Sequence, residues 1–285
     1  MFLCCNLKSA TKRALTVFIG NYPAESGWRT ISSLNDKVLI MDMLHANAFS
    51  DKDIICLEDE RATYASIMKS FDELAASVCK GDVVYVHFSC HGQQITDQDG
   101  DEAFLKRNEK YDSAIIPYDA LPEYGKNGYQ GNLHLIDDIL NEQLNRVAAK
   151  LGKNGVLLVV LDACHSGDGT RYMEEDESYP CRGIFDRFEQ PLRYGPRAAR
   201  ANQVNWVSIS ACTSIQNNYE VSIDGCCYGR LSYAVSQCLR QGSTVSGLID
   251  DIMELYERLP VPKGRRQTLS FDVPASYKAR IIFCQ

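Results

Sequence analysis

No stretch of this chain approaches the run of about eighteen apolar residues that a membrane-spanning helix needs. The start, Met1-Phe2-Leu3-Cys4-Cys5-Asn6-Leu7-Lys8, has neither the apolar core nor the small-residue cleavage site of a secretory signal. Phe2 stands where N-myristoylation requires glycine. Positive charge is not in surplus: 30 Lys and Arg against 37 Asp and Glu leave a formal charge of -7. That balance argues against the basic face of a nucleic-acid binder. There is no C-x-x-C pair, so a redox dithiol lacks its usual spacing. Neither an internal repeat nor a low-complexity tract occurs. These absences leave a cytoplasmic chain, expected to be a monomer, with no nucleic-acid or membrane partner.

What is present is a chain of 285 residues, 45% of them hydrophobic, enough for one large α/β domain. Twelve cysteines invite a disulfide reading. A chain of this size without a secretory signal needs no covalent staples, and Cys56 and Cys284 lie in apolar segments as inert thiols. Apolar runs predict strands at 14–20, 53–57, 82–89, 155–161, 204–210 and 268–273. Helical spacing predicts helices at 34–47, 62–80, 135–151, 231–240 and 245–258. Strands alternating with helices imply a mainly parallel sheet of six or more strands in a three-layer αβα sandwich. Two polar stretches, 93–134 and 167–203, break the rhythm and read as long functional loops.

Two of the apolar runs end in similar words, Ser89-Cys90-His91-Gly92 and Asp162-Ala163-Cys164-His165-Ser166-Gly167. In open α/β sheets, ligands bind and chemistry happens at the carboxyl ends of strands. A zinc site from Cys90, His91, Cys164 and His165 is disfavoured because adjacent ligands diverge and structural zinc prefers spaced pairs. Ordinary core residues explain one such word more readily than two. The reading that accounts for both is a thiol and its imidazole partner. Cys164 then sits on the turn leaving its strand as the nucleophile, and His91 either holds the leaving amide or activates the thiol. The backbone N–H groups of Cys164 and Gly92 face the developing oxyanion. Cys90 points away from His91 on the pleat, and His165 cannot easily reach its neighbour's sulfur. His45, His87 and His134 are read as structural or surface residues.

These words, in this order, resemble the metacaspases, a family of caspase-like cysteine peptidases. Further elements match along roughly 14–275: Leu34-Asn35-Asp36 after the first strand, the acidic run 97–102, Tyr111-Asp112 through Pro117-Tyr118-Asp119, Ile136-Asp137-Asp138, and Ser210-Ala211-Cys212 through Gln216. The resemblance is to a bacterial or type I-like member without a prodomain. It implies the caspase–haemoglobinase fold as one domain over 1–285. A large-subunit-like half (1–166) and a small-subunit-like half (204–285) are joined by a flexible loop (167–203).

It also implies a cysteine endopeptidase that cuts polypeptides after Arg or Lys through a thioester on Cys164. By position, Asp36, Ser89 and Asp162 correspond to an acidic pocket for the basic side chain, where carboxylates would select a guanidinium. On sequence alone Asp36 is equally a helix cap. Ca²⁺ is implied through Asp112, Asp137 and Asp138, with Asp168 a substitute for a further acidic ligand and Arg171 standing where none can act. The loop offers an Arg-directed peptidase its own bonds, after Arg171, Arg182, Arg187, Arg193, Arg197 or Arg200, so self-cleavage is expected there. Two alternatives stand beside this reading: an inactive caspase-like scaffold, and a clostripain-like peptidase of the same clan.

Overall fold

Seven-residue segments, mostly apolar and rich in β-branched residues, make strands β1 (Lys12–Phe18), β3 (Val83–Ser89) and β7 (Val156–Asp162). With β2 (Ile54–Glu58), β8 (Val207–Ser210) and β11 (Ser270–Asp272) they form a six-stranded sheet of order β11-β8-β7-β3-β1-β2. All neighbours are parallel except β11, which runs antiparallel to β8. The computed structural model describes residues 10–98, 100, 111–164, 180–183, 186–192, 205–213 and 216–282.

The pleat sends alternate residues to opposite faces, and both faces are covered. Leu15 and Val17, Val84, Val86 and Phe88, and Leu157 and Val159 pack against α2 (Tyr64–Ser77) and α3 (Asp137–Leu151) through Ile67, Phe71, Leu140, Leu144 and Val147. The other parity packs against α1 (Ser33–Ala46), α4 (Arg230–Cys238) and α5 (Val245–Arg258): Ala14 and Phe18, Val83 and Tyr85, and Val156, Leu158 and Val160 meet Ile40, Leu44, Leu231, Val235, Leu248 and Ile252. The helices begin at the expected signals. Thr63 accepts a hydrogen bond from the Ser66 amide and Thr244 from the Gly247 amide, each capping its helix.

The stretch 93–134 is not wholly irregular. It carries β4 (Gly92–Thr96) and β5 (Tyr111–Ile115), paired antiparallel in a small sheet with the two-residue β6 (Leu135–Ile136). The predicted helix at 135–151 therefore starts at Asp137, because Leu135 and Ile136 are drawn into that sheet. A second hairpin, β9 (Glu220–Ile223) and β10 (Cys226–Gly229), follows the central sheet's β8. Its turn, Asp224-Gly225, has φ of 51° and 83°, the left-handed pair that an Asp-Gly hairpin turn requires.

Candidate active site

The register of the central sheet decides what meets at its carboxyl edge. Ser89 of β3 lies level with Asp162 of β7. His91 and Cys164, each two residues further on, leave the sheet side by side. Gly92 follows directly, and the backbones run so close that a Cβ at residue 92 would fall 1.9 Å from the Cys164 carbonyl oxygen. Only glycine fits there.

His91 is buried and fixed on every side but one. Its Nε2–H donates to the Arg29 carbonyl at 2.8 Å, its ring stacks on Trp28 with centroids 5.1 Å apart, and Tyr22 lies tilted against it. The Tyr22 hydroxyl accepts from the His91 amide and donates to the Ile116 carbonyl. Among the described residues, none hydrogen-bonds to the buried Nδ1. Burial pushes the imidazole down to about 4, against the Arg29 carbonyl, which favours its charged form. The ring is therefore neutral near pH 7, with Nε2 protonated and the lone pair on Nδ1 open to accept a proton. Cys164 is also buried, its thiol 3.8 Å from the Gln216 carbonyl. Cys90 is fully buried and its thiol is pushed up to about 12 by desolvation, which leaves it inert. His87 joins the Tyr85 and Ser232 hydroxyls, His134 joins the Tyr129 hydroxyl and Gln93, and His45 pairs with Asp51 at the surface.

The cleft over this pair is filled by the chain's own residues 180–183. Pro180 and Arg182 extend the sheet edge at 218–220: the Arg182 amide donates to the Asn218 carbonyl at 2.9 Å, and the Glu220 amide donates to the Pro180 carbonyl at 2.8 Å. The Arg182 carbonyl oxygen accepts from both the Gly92 amide (3.2 Å) and the Cys164 amide (3.1 Å). Two converging donors beside a thiol are the arrangement that stabilises a tetrahedral oxyanion.

The Arg182 side chain is wholly buried in an acidic pocket that contains the three residues expected from the sequence. Its Nη2 is 2.8 Å from Asp36, its Nη1 donates to Ser89 Oγ at 2.7 Å, and Asp162 lies 3.6 Å from Nη1. Asp36 is not a cap. It sits on the inward face of α1, where it accepts from Ser89 Oγ and the Gly229 amide. Asp162 accepts from Asn218 and from both the amide and the hydroxyl of Ser232. Burial acts to raise its pKa, but Arg182 and these hydrogen bonds outweigh it and hold the carboxyl below its ordinary range.

The pocket also holds a carboxylate that sequence reasoning missed. Glu220 Oε1 accepts from Arg182 Nε at 3.1 Å and Nη2 at 2.9 Å, and from the Ser32 amide. Its only sequence signal was a lone acidic residue opening an alternating apolar strand. Burial works against the guanidinium's charge, but Asp36, Asp162 and Glu220 keep its pKa above the ordinary arginine value.

Arg187 is elsewhere. Its Nε donates to Gln94 and its guanidinium lies 4.3 Å over the Tyr111 ring, so it is not in the pocket. Between them and beyond, residues 186–190 run beside β4: the Phe188 amide donates to the Gln94 carbonyl and its carbonyl accepts from Thr96. Arg171, Arg193, Arg197, Arg200, His165 and Asp168 lie outside the described residues. Among the described residues, no three His, Cys, Asp or Glu side chains stand close enough to hold a metal ion. The register pairing Ala114 with Ile136 brings Asp112 toward the Asp137–Asp138 start of α3, but these carboxylates alone do not make a calcium site.

A central sheet of this order, with histidine and cysteine at its carboxyl edge, is the caspase-like fold. Two solved structures share it: a Geobacter sulfurreducens protein, 19% identical, with a TM-score of 0.63 over 96% of this chain and 98% of that one, and caspase-1 of Spodoptera frugiperda, 9% identical, with a TM-score of 0.59 over 93% and 88%. The profile described as "Metacaspase, peptidase C14 domain" matches residues 12–171, and the chain belongs to that family of caspase-like cysteine peptidases. Among curated relatives it is 22% identical to metacaspase-1 of Candida albicans over 96% of this chain and 68% of that protein. It is 27% identical to metacaspase III c of the diatom Phaeodactylum tricornutum over 63% and 53%. The chain thus spans from about half to just over two thirds of the length of these relatives. No helix among the described residues is long and apolar enough to cross a membrane.

Proposed function

We propose that this protein is an endopeptidase directed to arginine, and secondarily lysine, and that its first substrate is its own Arg182–Gly183 bond. One observation carries the reading: Arg182 lies in the acidic pocket with its carbonyl oxygen between the Gly92 and Cys164 amides. A carbonyl held by two donors beside a buried thiol and an open imidazole nitrogen is a substrate pose.

The chemistry follows from the groups in place. Cys164 Sγ attacks the Arg182 carbonyl carbon while its proton passes to His91 Nδ1. The negative charge that develops on the carbonyl oxygen is met by the Gly92 and Cys164 N–H groups. His91 then gives its proton to the Gly183 nitrogen, the C–N bond breaks, and a thioester joins Cys164 to Arg182. Water, activated by the same imidazole, releases Arg182 as a carboxylate and restores the thiol. The Arg29 carbonyl holds the ring so that the same nitrogen serves in both halves.

The uncut chain is then latent, because its own arginine fills the pocket any other substrate must enter. Calcium stimulation is a lesser part of the proposal, resting on the family and on the nearness of Asp112 to the Asp137–Asp138 turn; no step above passes through the ion. The test compares the wild type with Cys164→Ala and His91→Ala on short peptides carrying Arg, Lys or Asp before a fluorogenic group, alongside a time course of the intact chain. Turnover after Arg, and fragments ending at Arg182 in the wild type alone, are expected. Turnover after Asp, or intact bands in all three proteins, would overturn the reading; complete silence would favour an inactive scaffold.

A further inference from the structure

The acidic pocket explains selection on one side of the bond only. On the other side stands Gly183, bridged in parallel to Gly92. A Cβ added at residue 183 would fall 2.7 Å from Cys164 Cβ, 2.9 Å from the Gly92 carbonyl oxygen and 3.1 Å from the nucleophilic Sγ. The first two distances are below what packed carbon atoms accept.

The first two of these neighbours cannot turn away. A Cβ is fixed by its own backbone, and a carbonyl oxygen moves only with the chain. Gly92 cannot retreat either, since it is itself packed against the Cys164 carbonyl, and its N–H is one of the two oxyanion donors. The φ of Gly183 is not in the left-handed region. An L-residue could adopt that backbone, so the constraint is one of space and not of conformation.

From this geometry we infer that the residue following the cut is a second specificity determinant, and that the enzyme selects Arg–Gly bonds over arginine followed by any residue with a side chain. The wall that enforces this is the catalytic apparatus itself, the nucleophile's Cβ and the backbone of the oxyanion glycine. A larger residue has to lift its carbonyl out of the two-donor cradle, which raises the barrier to attack without weakening arginine binding in the pocket.

The sequence carries an independent trace of the same rule. Of the six loop arginines, Arg171 precedes Tyr172, Arg187 precedes Phe188, Arg193 precedes Tyr194, Arg197 precedes Ala198 and Arg200 precedes Ala201; Arg182 alone precedes glycine. Nowhere else in the 285 residues does glycine follow arginine. Among the arginine bonds such a rule makes self-cleavage a single event and spares the rest of the loop; Lys80–Gly81 and Lys263–Gly264 are the bonds that meet it for the secondary residue, lysine. The substrates in trans are then chains with an exposed Arg–Gly pair in an extended segment.

This inference rests on the Cys164 peptidase reading, and the experiment separates the two. Peptides of the sequence spanning residues 179–185, and the same peptides with Ala or Val in place of Gly183, compete in one tube for the self-cleaved wild-type protein. Products are counted by mass spectrometry, which gives the kcat/KM ratio directly. An arginine methyl ester, whose leaving group has nothing at the Cβ position, is run in parallel to report on the dyad and pocket alone. The expected result is a Gly:Ala ratio of about tenfold or more, the size of an overpacking penalty, a larger ratio against Val, and a KM that changes less than kcat. In the chain itself, Gly183→Ala slows self-cleavage by a similar factor. A smaller Gly:Ala ratio, with the arginine methyl ester turned over, overturns the inference and leaves the peptidase standing. No hydrolysis of any substrate overturns both.

Discussion

Replacing Glu220 by glutamine tests whether the pocket reads the shape of a guanidinium or merely its charge. Glu220 Oε1 is met by two donors of Arg182, Nε and Nη2, and is oriented by the Ser32 amide. A lysine ammonium ends where the guanidinium carbon sits and has no donor at the Nε position, so it reaches this oxygen poorly. A hydrogen bond to a charged group contributes about 1.5–3 kcal/mol. Two that share one oxygen do not add fully, so the expected loss for arginine is about 2–3 kcal/mol, roughly 30- to 150-fold in kcat/KM. For lysine the change is mainly one of field, about 1 kcal/mol or roughly fivefold. The measurement uses an Arg182→Ala background, which vacates the pocket, with fluorogenic Arg and Lys peptides assayed with and without Glu220→Gln. The four values form a cycle whose coupling is at least about 1 kcal/mol. Equal losses for the two substrates, or a greater loss for lysine, would refute the account of the pocket.

Stability and calcium supply two more predictions. His87 and His134 are pushed down to about 3 and His91 to about 4, in each case chiefly by burial. The unfolded chain takes up these protons below about pH 6.5 while the folded one refuses them, so stability is present above that value and is lost as pH falls, by up to about 1.4 kcal/mol per pH unit for each ring. Urea midpoints measured from neutral to acid pH should fall accordingly, and a stability that stays level down to about pH 4.5 would count against these buried neutral rings. If Asp112, Asp137 and Asp138 contribute to a calcium site, added calcium speeds self-cleavage and Asp112→Asn blunts the response. Identical time courses in calcium and in chelator remove the ion from the proposal.

The meeting of His91 and Cys164 at one sheet edge was legible because strand parity and strand ends are local properties. His91 lies two residues past Ser89, the end of β3, and Cys164 two past Asp162, the end of β7, and a parallel sheet makes these exits adjacent. What failed was pairing between distant or short segments. The β4–β5 strands look polar because β4 reads Gly-Gln-Gln-Ile-Thr, and the docking of residues 186–190 beside β4 is not encoded locally. The β9–β10 hairpin did carry a signal, Asp224-Gly225 between strand-like residues, which was there to be used. Glu220 and Arg182 could not be paired from sequence, since a glutamate on a hairpin and an arginine on a charged loop each have an ordinary solvated reading. Asp36 was ambiguous for the opposite reason: the first turn of a helix is where caps occur, and only its inward face, against Ser89, decides the matter.

That inward face has a further consequence, because three carboxylates surround one guanidinium. Burial pushes Asp36 up to about 6, with Arg182 acting in the opposite sense and the Asp162 charge adding to the rise. Take the guanidinium away, and the strongest opposing influence goes with it, so the empty pocket keeps its proton to a higher pH still. Arginine binding therefore expels a proton in the interval between the occupied and the empty pKa values, and none outside it. Affinity rises with pH across that interval by up to about tenfold per unit for one proton, and levels off above it. Below about 6 both forms are protonated and affinity is weak and flat. His91 does not confuse the profile, since its proton is lost well below this range. Calorimetric titration of a Cys164→Ala, Arg182→Ala chain with an arginine-ending peptide, in two buffers of different ionisation enthalpy, counts the protons released. A flat affinity from about pH 6 to 8, or a slope that survives Asp36→Asn, would show that the proton comes from elsewhere.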